Sequence, residues 1–238
     1  MEQVDGISWN GRTTSPEYAL YVTAGEFQYP QPEELYLETT YDLATYCPRC
    51  GIGACQKAPF RLRRDFKQKR AHFLGLFWVH DEVFAREIAV RVLGASGLTG
   101  LTYSQPCIHT SGIPIEDLHQ LRIEAIAPAG LLTDGLRTVV CREADDVVHN
   151  RSTERSLGTN LRFSDIPYCG RVKYHFPLAQ TISFHKEALV NLPDFAKSAE
   201  YFGSGGGATR LILVRQRVVR AVKEAQLRGL KFTPLVLL

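Results

Sequence analysis

Two thiols separated by two residues and closed by a glycine, in Tyr46-Cys47-Pro48-Arg49-Cys50-Gly51, form the stretch of this sequence best suited to chemistry. A thiolate pair at this spacing reaches one Zn2+ from a single tight turn, and Gly51 lets the backbone fold back so that amides point at the sulfurs. One knuckle supplies two ligands, whereas a closed structural site needs four. A second cysteine-glycine pair, in Pro167-Tyr168-Cys169-Gly170, stands in the second half of the chain as Pro48-Arg49-Cys50-Gly51 does in the first. It is half a knuckle, because Ile166 occupies the position three before Cys169 where a cysteine would complete it. Cys47, Cys50 and Cys169 are therefore candidate ligands. Cys55, five residues past Cys50, and His175 are candidates for the fourth. The alternative is a decayed site, with apolar packing around Ile166 in place of the metal. The expected zinc is structural, since a closed thiolate site leaves no open position for substrate.

Other groupings of reactive residues are poorer. Gly203 to Ala208 matches G-x-G-x-x-A, but it precedes a strand, whereas a dinucleotide fingerprint follows one and opens a helix. A loop is expected there. Cys107 and His109 lack an evident third group to orient them, and the seven histidines form no H-E-x-x-H face. No catalytic residue is assigned, and the chain is expected not to be an enzyme.

The elements that must position the cysteines follow a repeated grammar. Phe73 to Val79 is an apolar strand, Asp81 a candidate N-cap, and Val83, Phe84, Ile88, Val92 and Leu93 recur at near-helical spacing before Leu98-Thr99-Gly100-Leu101-Thr102-Tyr103-Ser104. At the carboxyl end Leu211 to Val214 reads as strand, Val218, Val219, Val222 and Ala225 as a helical face, and Leu227-Arg228-Gly229-Leu230-Lys231-Phe232-Thr233 closes the unit. The shared signature is L-x-G-L-x-[YF]-[ST], with the glycine expected at a helix C-terminal cap. Strands are also expected over Tyr18 to Thr23, Glu34 to Thr40, Gln120 to Ile126 and Leu136 to Cys141, and an exposed loop over Glu143 to Ser156. The predicted fold is α+β: two similar strand-helix-strand lobes, 1–130 and 131–238, an internal repeat joined around a Cys-based zinc knuckle.

Composition sets the outer bounds. With 45% hydrophobic and 22% charged residues in 238, the chain has enough apolar material for a sizeable core. A formal net charge of +3 does not demand a nucleic-acid partner, although Arg61, Arg63, Arg64, Lys67, Lys69 and Arg70 form a basic run. The longest apolar runs are too short to span a bilayer and the acidic amino terminus lacks a hydrophobic signal core, so no membrane association and a cytoplasmic location are expected. There, six cysteines read as reduced thiols and metal ligands.

Taken together, Cys47-Pro48-Arg49-Cys50-Gly51, Cys169-Gly170, Leu192-Pro193-Asp194-Phe195 before Glu200-Tyr201-Phe202, the strand Thr209 to Val214 and Leu227 to Phe232 resemble the double-CxxCG motif family of bacterial proteins. That family includes immunity proteins of polymorphic toxin systems, used in competition between bacteria. The resemblance implies an antitoxin that binds a cognate toxin domain and occludes its active or substrate-binding surface. Ile166 departs from the family pattern and bears on the metal more than on the fold. The tyrosine-rich amino-terminal strands, the Arg61 to Arg70 loop and the Glu143 to Arg155 loop are the candidate interfaces. A slightly basic chain disfavours a nuclease target. The alternative is a zinc-knuckle nucleic-acid-binding protein using the basic run.

Overall fold

The computed structural model describes residues 8–9, 12–13, 20–64, 70–142, 166–176 and 182–238. The Glu143 to Ser156 stretch, Lys67 and Lys69 lie outside them. Among the described residues the fold is mixed α+β and mostly sheet. A five-stranded sheet contains β2 (Glu26–Gln28), β3 (Phe73–Leu76), β4 (Val79–Arg86), β5 (Thr102–Ser104) and β6 (Leu118–Arg122), in the order β5-β6-β4-β3-β2. A six-stranded sheet contains β1 (Leu20–Ala24), β7 (Thr138–Val140), β8 (Val172–Tyr174), β9 (Phe195–Phe202), β10 (Thr209–Val214) and β11 (Leu230–Pro234), in the order β7-β8-β9-β10-β1-β11. Three α-helices are described: α1 (Tyr36–Thr40), α2 (Glu87–Ala95) and α3 (Gln216–Glu224). No helix among the described residues is long and apolar enough to cross a membrane.

Residues 73–93 depart from their predicted layout. Instead of one strand to Val79 and a helix from Asp81, the chain turns at Phe77-Trp78 and returns as β4, with Leu76 paired to Val79 and Phe73 to Ala85. Asp81 lies within β4, and Arg86, in extended conformation, is the N-cap of α2. The cause is two-sided burial. Val83 and Ala85 join one core and Phe84 another, giving the unbroken apolar run of a covered strand, which mimics helical spacing. Glu34 to Thr40 differs too, forming the single turn of α1 rather than a strand.

One core draws on both sheets and on both longer helices: Phe73, Val83 and Leu121, Ala89 and Leu93 of α2, Val218, Val219 and Val222 of α3, and Phe195, Ile212 and Val214. The 1–130 and 131–238 division therefore does not coincide with the sheets. β1 lies between β10 and β11, and the chain crosses to the other sheet at Gly25 to begin β2.

The two L-x-G segments have a different task from the one expected. The left-handed residue after each helix is Gly97 (φ +61°) after α2 and Gln226 (φ +53°) after α3. Gly100 and Gly229 instead lie against opposite strands, where an added Cβ would fall 2.3 Å from the Phe195 carbonyl oxygen and 2.2 Å from that of Phe73. The Phe195 amide donates to the Thr99 carbonyl at 3.1 Å, and the Phe73 amide to the Arg228 carbonyl at 3.0 Å. Each loop after a helix thus clasps the start of a strand in the other half of the chain.

A second tie is ionic. Lys197 of β9 is buried with its Nζ 2.7 Å from Glu82 Oε1 and 3.5 Å from Asp81 Oδ2, both on β4. Burial depresses the ammonium, but the two carboxylates outweigh it and the pKa is raised.

Candidate metal centre

The knuckle lies between two short paired strands, Tyr41–Asp42 and Cys55–Gln56. The Cys47 amide donates to the Ile52 carbonyl and the Gly51 amide to the Cys47 carbonyl, each at 2.8 Å, which closes a tight loop with both cysteines buried. Gly51 is required by its φ of +80° and by crowding, since a Cβ would lie 2.1 Å from the Gly206 carbonyl oxygen.

The other two thiols come from the ends of one antiparallel pair. Cys141 follows β7 and Cys169 precedes β8, and the Val140 to Val172 register sets their ends side by side. The Cys141 amide donates to the Arg171 carbonyl at 2.9 Å, and the Gly170 amide to the Cys141 carbonyl at 3.1 Å. Sequence separation is irrelevant once the ladder has formed.

Cys47, Cys50, Cys141 and Cys169 then converge, with ligand atoms all within 4.8 Å of one another. The Cys47 and Cys141 sulfurs are 3.8 Å apart, and those of Cys50 and Cys169 3.6 Å. A tetrahedron with metal–sulfur bonds of about 2.3 Å has sulfur–sulfur edges of about 3.8 Å. A disulfide would need about 2.05 Å. These two edges match a tetrahedral tetrathiolate, and the cluster of four is compatible with metal binding.

The surroundings are cationic and tightly bonded. The ammonium of Lys173, on β8 and buried, donates to the carbonyls of Cys50 (2.8 Å), Gly205 (2.5 Å) and Gly207 (2.8 Å). Arg171 reaches the carbonyls of Thr45 and Ile52, and Arg49 Nε donates to the Ile166 carbonyl at 2.6 Å with its guanidinium over the Tyr168 ring. The glycine-rich 203–208 loop is accordingly a backing plate for the knuckle, held there by Lys173. Ile166 contributes a carbonyl acceptor as well as its apolar side chain.

Four thiols so close cannot all ionise without a cation. The hydrogen bond from Cys50 holds Cys47 below the usual thiol range, and Cys50 is raised in consequence. Burial pushes Cys141 up to about 11. It also lowers Lys173 below the usual lysine value, against the opposing pull of the cysteines.

Of the sequence-expected ligands, Cys47, Cys50 and Cys169 come together and Cys55 does not. Cys55 is exposed on the strand opposite Asp42, outside the cluster, because strand pairing carries it away from the loop. His175 is also outside the cluster, its amide bonded to the Arg137 carbonyl. Cys141 is the member of the cluster that sequence reasoning missed. Its signal was present: the expected strand Leu136 to Cys141 ends in a cysteine and, paired with the segment after Cys169, would bring the two thiols together.

No protein-family model matches this chain, and no curated protein matches it in sequence.

Proposed function

We propose that this chain is a cytoplasmic immunity protein that binds a cognate bacterial toxin domain and occludes its active or substrate-binding surface. The observation that carries this reading is the four-cysteine cluster, in which the CPRCG knuckle of one half meets the Cys169-Gly170 of the other. That supports the double-CxxCG resemblance despite Ile166, because Cys141 supplies the fourth thiol. The metal is Zn2+, bound by Cys47, Cys50, Cys141 and Cys169. Its role is structural: it fixes the knuckle to the β7–β8 end of the six-stranded sheet.

The scaffold is an internal repeat. Its support is the reciprocal clasp of Thr99 to Phe195 and Arg228 to Phe73, made by equivalent positions of the two L-x-G segments. Both segments follow an antiparallel hairpin and a nine-residue helix. Such a body acts by surface complementarity rather than by catalysis.

The test is a tagged pull-down from the native host at moderate salt, with the eluate examined for protein and nucleic acid. Expected is one stoichiometric polypeptide carrying a toxin domain, retained through a high-salt wash. Recovery of nucleic acid that salt removes, without a protein partner, would contradict the reading and favour a nucleic-acid binder.

A further inference from the structure

The turn between β3 and β4 displays a tryptophan in a strained conformation. Trp78 has a φ of +68°, a region that side-chain-bearing residues rarely adopt and that two-residue hairpin turns ordinarily fill with Gly or Asn. It is nevertheless 54% exposed. Its ring lies against Tyr29, with centroids 4.5 Å apart, and 6.0 Å from Tyr36, while Tyr29 also stacks on Phe77 at 4.6 Å. Folding gains little from an exposed indole at a position that favours glycine. Strain retained at an exposed aromatic points to a role in recognition.

The surroundings indicate what is recognised. Arg61–Leu62 and the residues after it run beside the segment that carries Tyr29: the Gln31 amide donates to the Arg61 carbonyl and the Arg63 amide to Gln28 Oε1, each at 2.8 Å. Arg61 and Arg64 are exposed there, whereas Arg63 is paired with Glu33. Glu34 and Glu38 flank Tyr36 in sequence. A polyanion calls for uniform positive charge and a row of free ring faces. Here acids interrupt the arginines, and Tyr29 is engaged by two neighbouring rings. Exposed Trp and Tyr with Arg at the margin are instead the composition of a protein-interface hot spot.

We propose that Trp78, supported by Tyr29 and Tyr36, is the anchor of a protein–protein interface. Its partner is a folded protein offering an apolar pocket edged by carboxylates that meet Arg61 and Arg64. The partner's identity as a toxin domain rests on the function proposed above.

The test uses Trp78→Gly, which suits the left-handed backbone and should leave the melting temperature unchanged, with Val190→Ala in the second half of the chain as an exposed control. The probes are the purified polypeptide encoded directly upstream of this gene and a single-stranded dT20. Expected is binding of the polypeptide by the wild type, weakened roughly 30-fold or more in Trp78→Gly and unchanged in Val190→Ala. Equal binding by Trp78→Gly would overturn the anchor and leave the toxin-binding function standing. Failure of the wild type to bind would overturn that function and, with it, this partner. Binding of dT20, or self-association of the wild type, lost in Trp78→Gly would overturn the assignment by revealing a different occupant. A large fall in melting temperature in Trp78→Gly would likewise overturn it, by making Trp78 a structural residue.

Discussion

The sulfurs of Cys47 and Cys141, 94 residues apart in the chain, lie 3.8 Å from one another. This spacing joins a loop from the first half of the protein to the end of a strand pair in the second. It follows that Cys141→Ser should bind well under one tenth of the zinc of the wild type, while Cys55→Ser should retain about one ion per chain. Elemental analysis after dialysis checks both. Equal loss in the two variants would contradict the assignment.

Lys173 is the covalently independent tie at the same place. Its replacement by Met strips three buried carbonyls of a charged donor, and stability should fall by about 3 kcal/mol. Urea denaturation of the metal-loaded protein reads this directly, and a change under 1 kcal/mol would remove Lys173 from the account.

Three glycine positions should separate by sign. Gly100→Ala and Gly229→Ala each place a Cβ within 2.4 Å of a backbone oxygen at positive φ and should cost more than about 2 kcal/mol. Gly94→Ala, inside α2 with nothing within 4 Å of the added methyl, should stabilise by about 1 kcal/mol. Gln226→Gly, at the left-handed residue after α3, should also stabilise, by about 0.5 kcal/mol or more. Thermal melts of the four variants suffice.

The buried pair of Lys197 and Glu82 carries a pH signature. Because the folded pKa of Lys197 is raised, its contribution is fully present below the unfolded value of 10.5 and is lost as pH rises through the folded value. Lys197→Met should therefore destabilise by about 3–5 kcal/mol at neutral pH and flatten the alkaline loss of stability above about pH 10.5. The double variant with Glu82→Gln should recover part of that loss, since the single change leaves a carboxylate buried without its cation. Denaturation curves between pH 7 and pH 11.5 provide the check.

How much of this was legible in the sequence depended on whether the cause was local. Helix α3 was visible because Val218, Val219 and Val222 face one core while Arg217, Arg220 and Lys223 do not. Helix α2 was misplaced at its start because Val83, Phe84 and Ala85 are covered on both faces, which erases the alternation that marks a strand. Cys47 and Cys50 announced themselves by spacing within one turn. Cys141 showed only as the end of an expected strand, because its partnership with Cys169 is set by the register of β7 on β8, a long-range pairing with no spacing motif. The L-x-G glycines were recognised as special for the wrong reason. Their positive φ is real, but what demands glycine is the close approach of a strand from the other half of the chain.

Zinc K-edge absorption on the purified protein would test the metal centre most directly. Expected is a first shell of four sulfurs at about 2.3 Å in the wild type and in Cys55→Ser, with the zinc edge nearly lost in Cys141→Ser. A shell containing nitrogen, or an edge lost in Cys55→Ser and kept in Cys141→Ser, would contradict the centre and with it the scaffold it is held to pin.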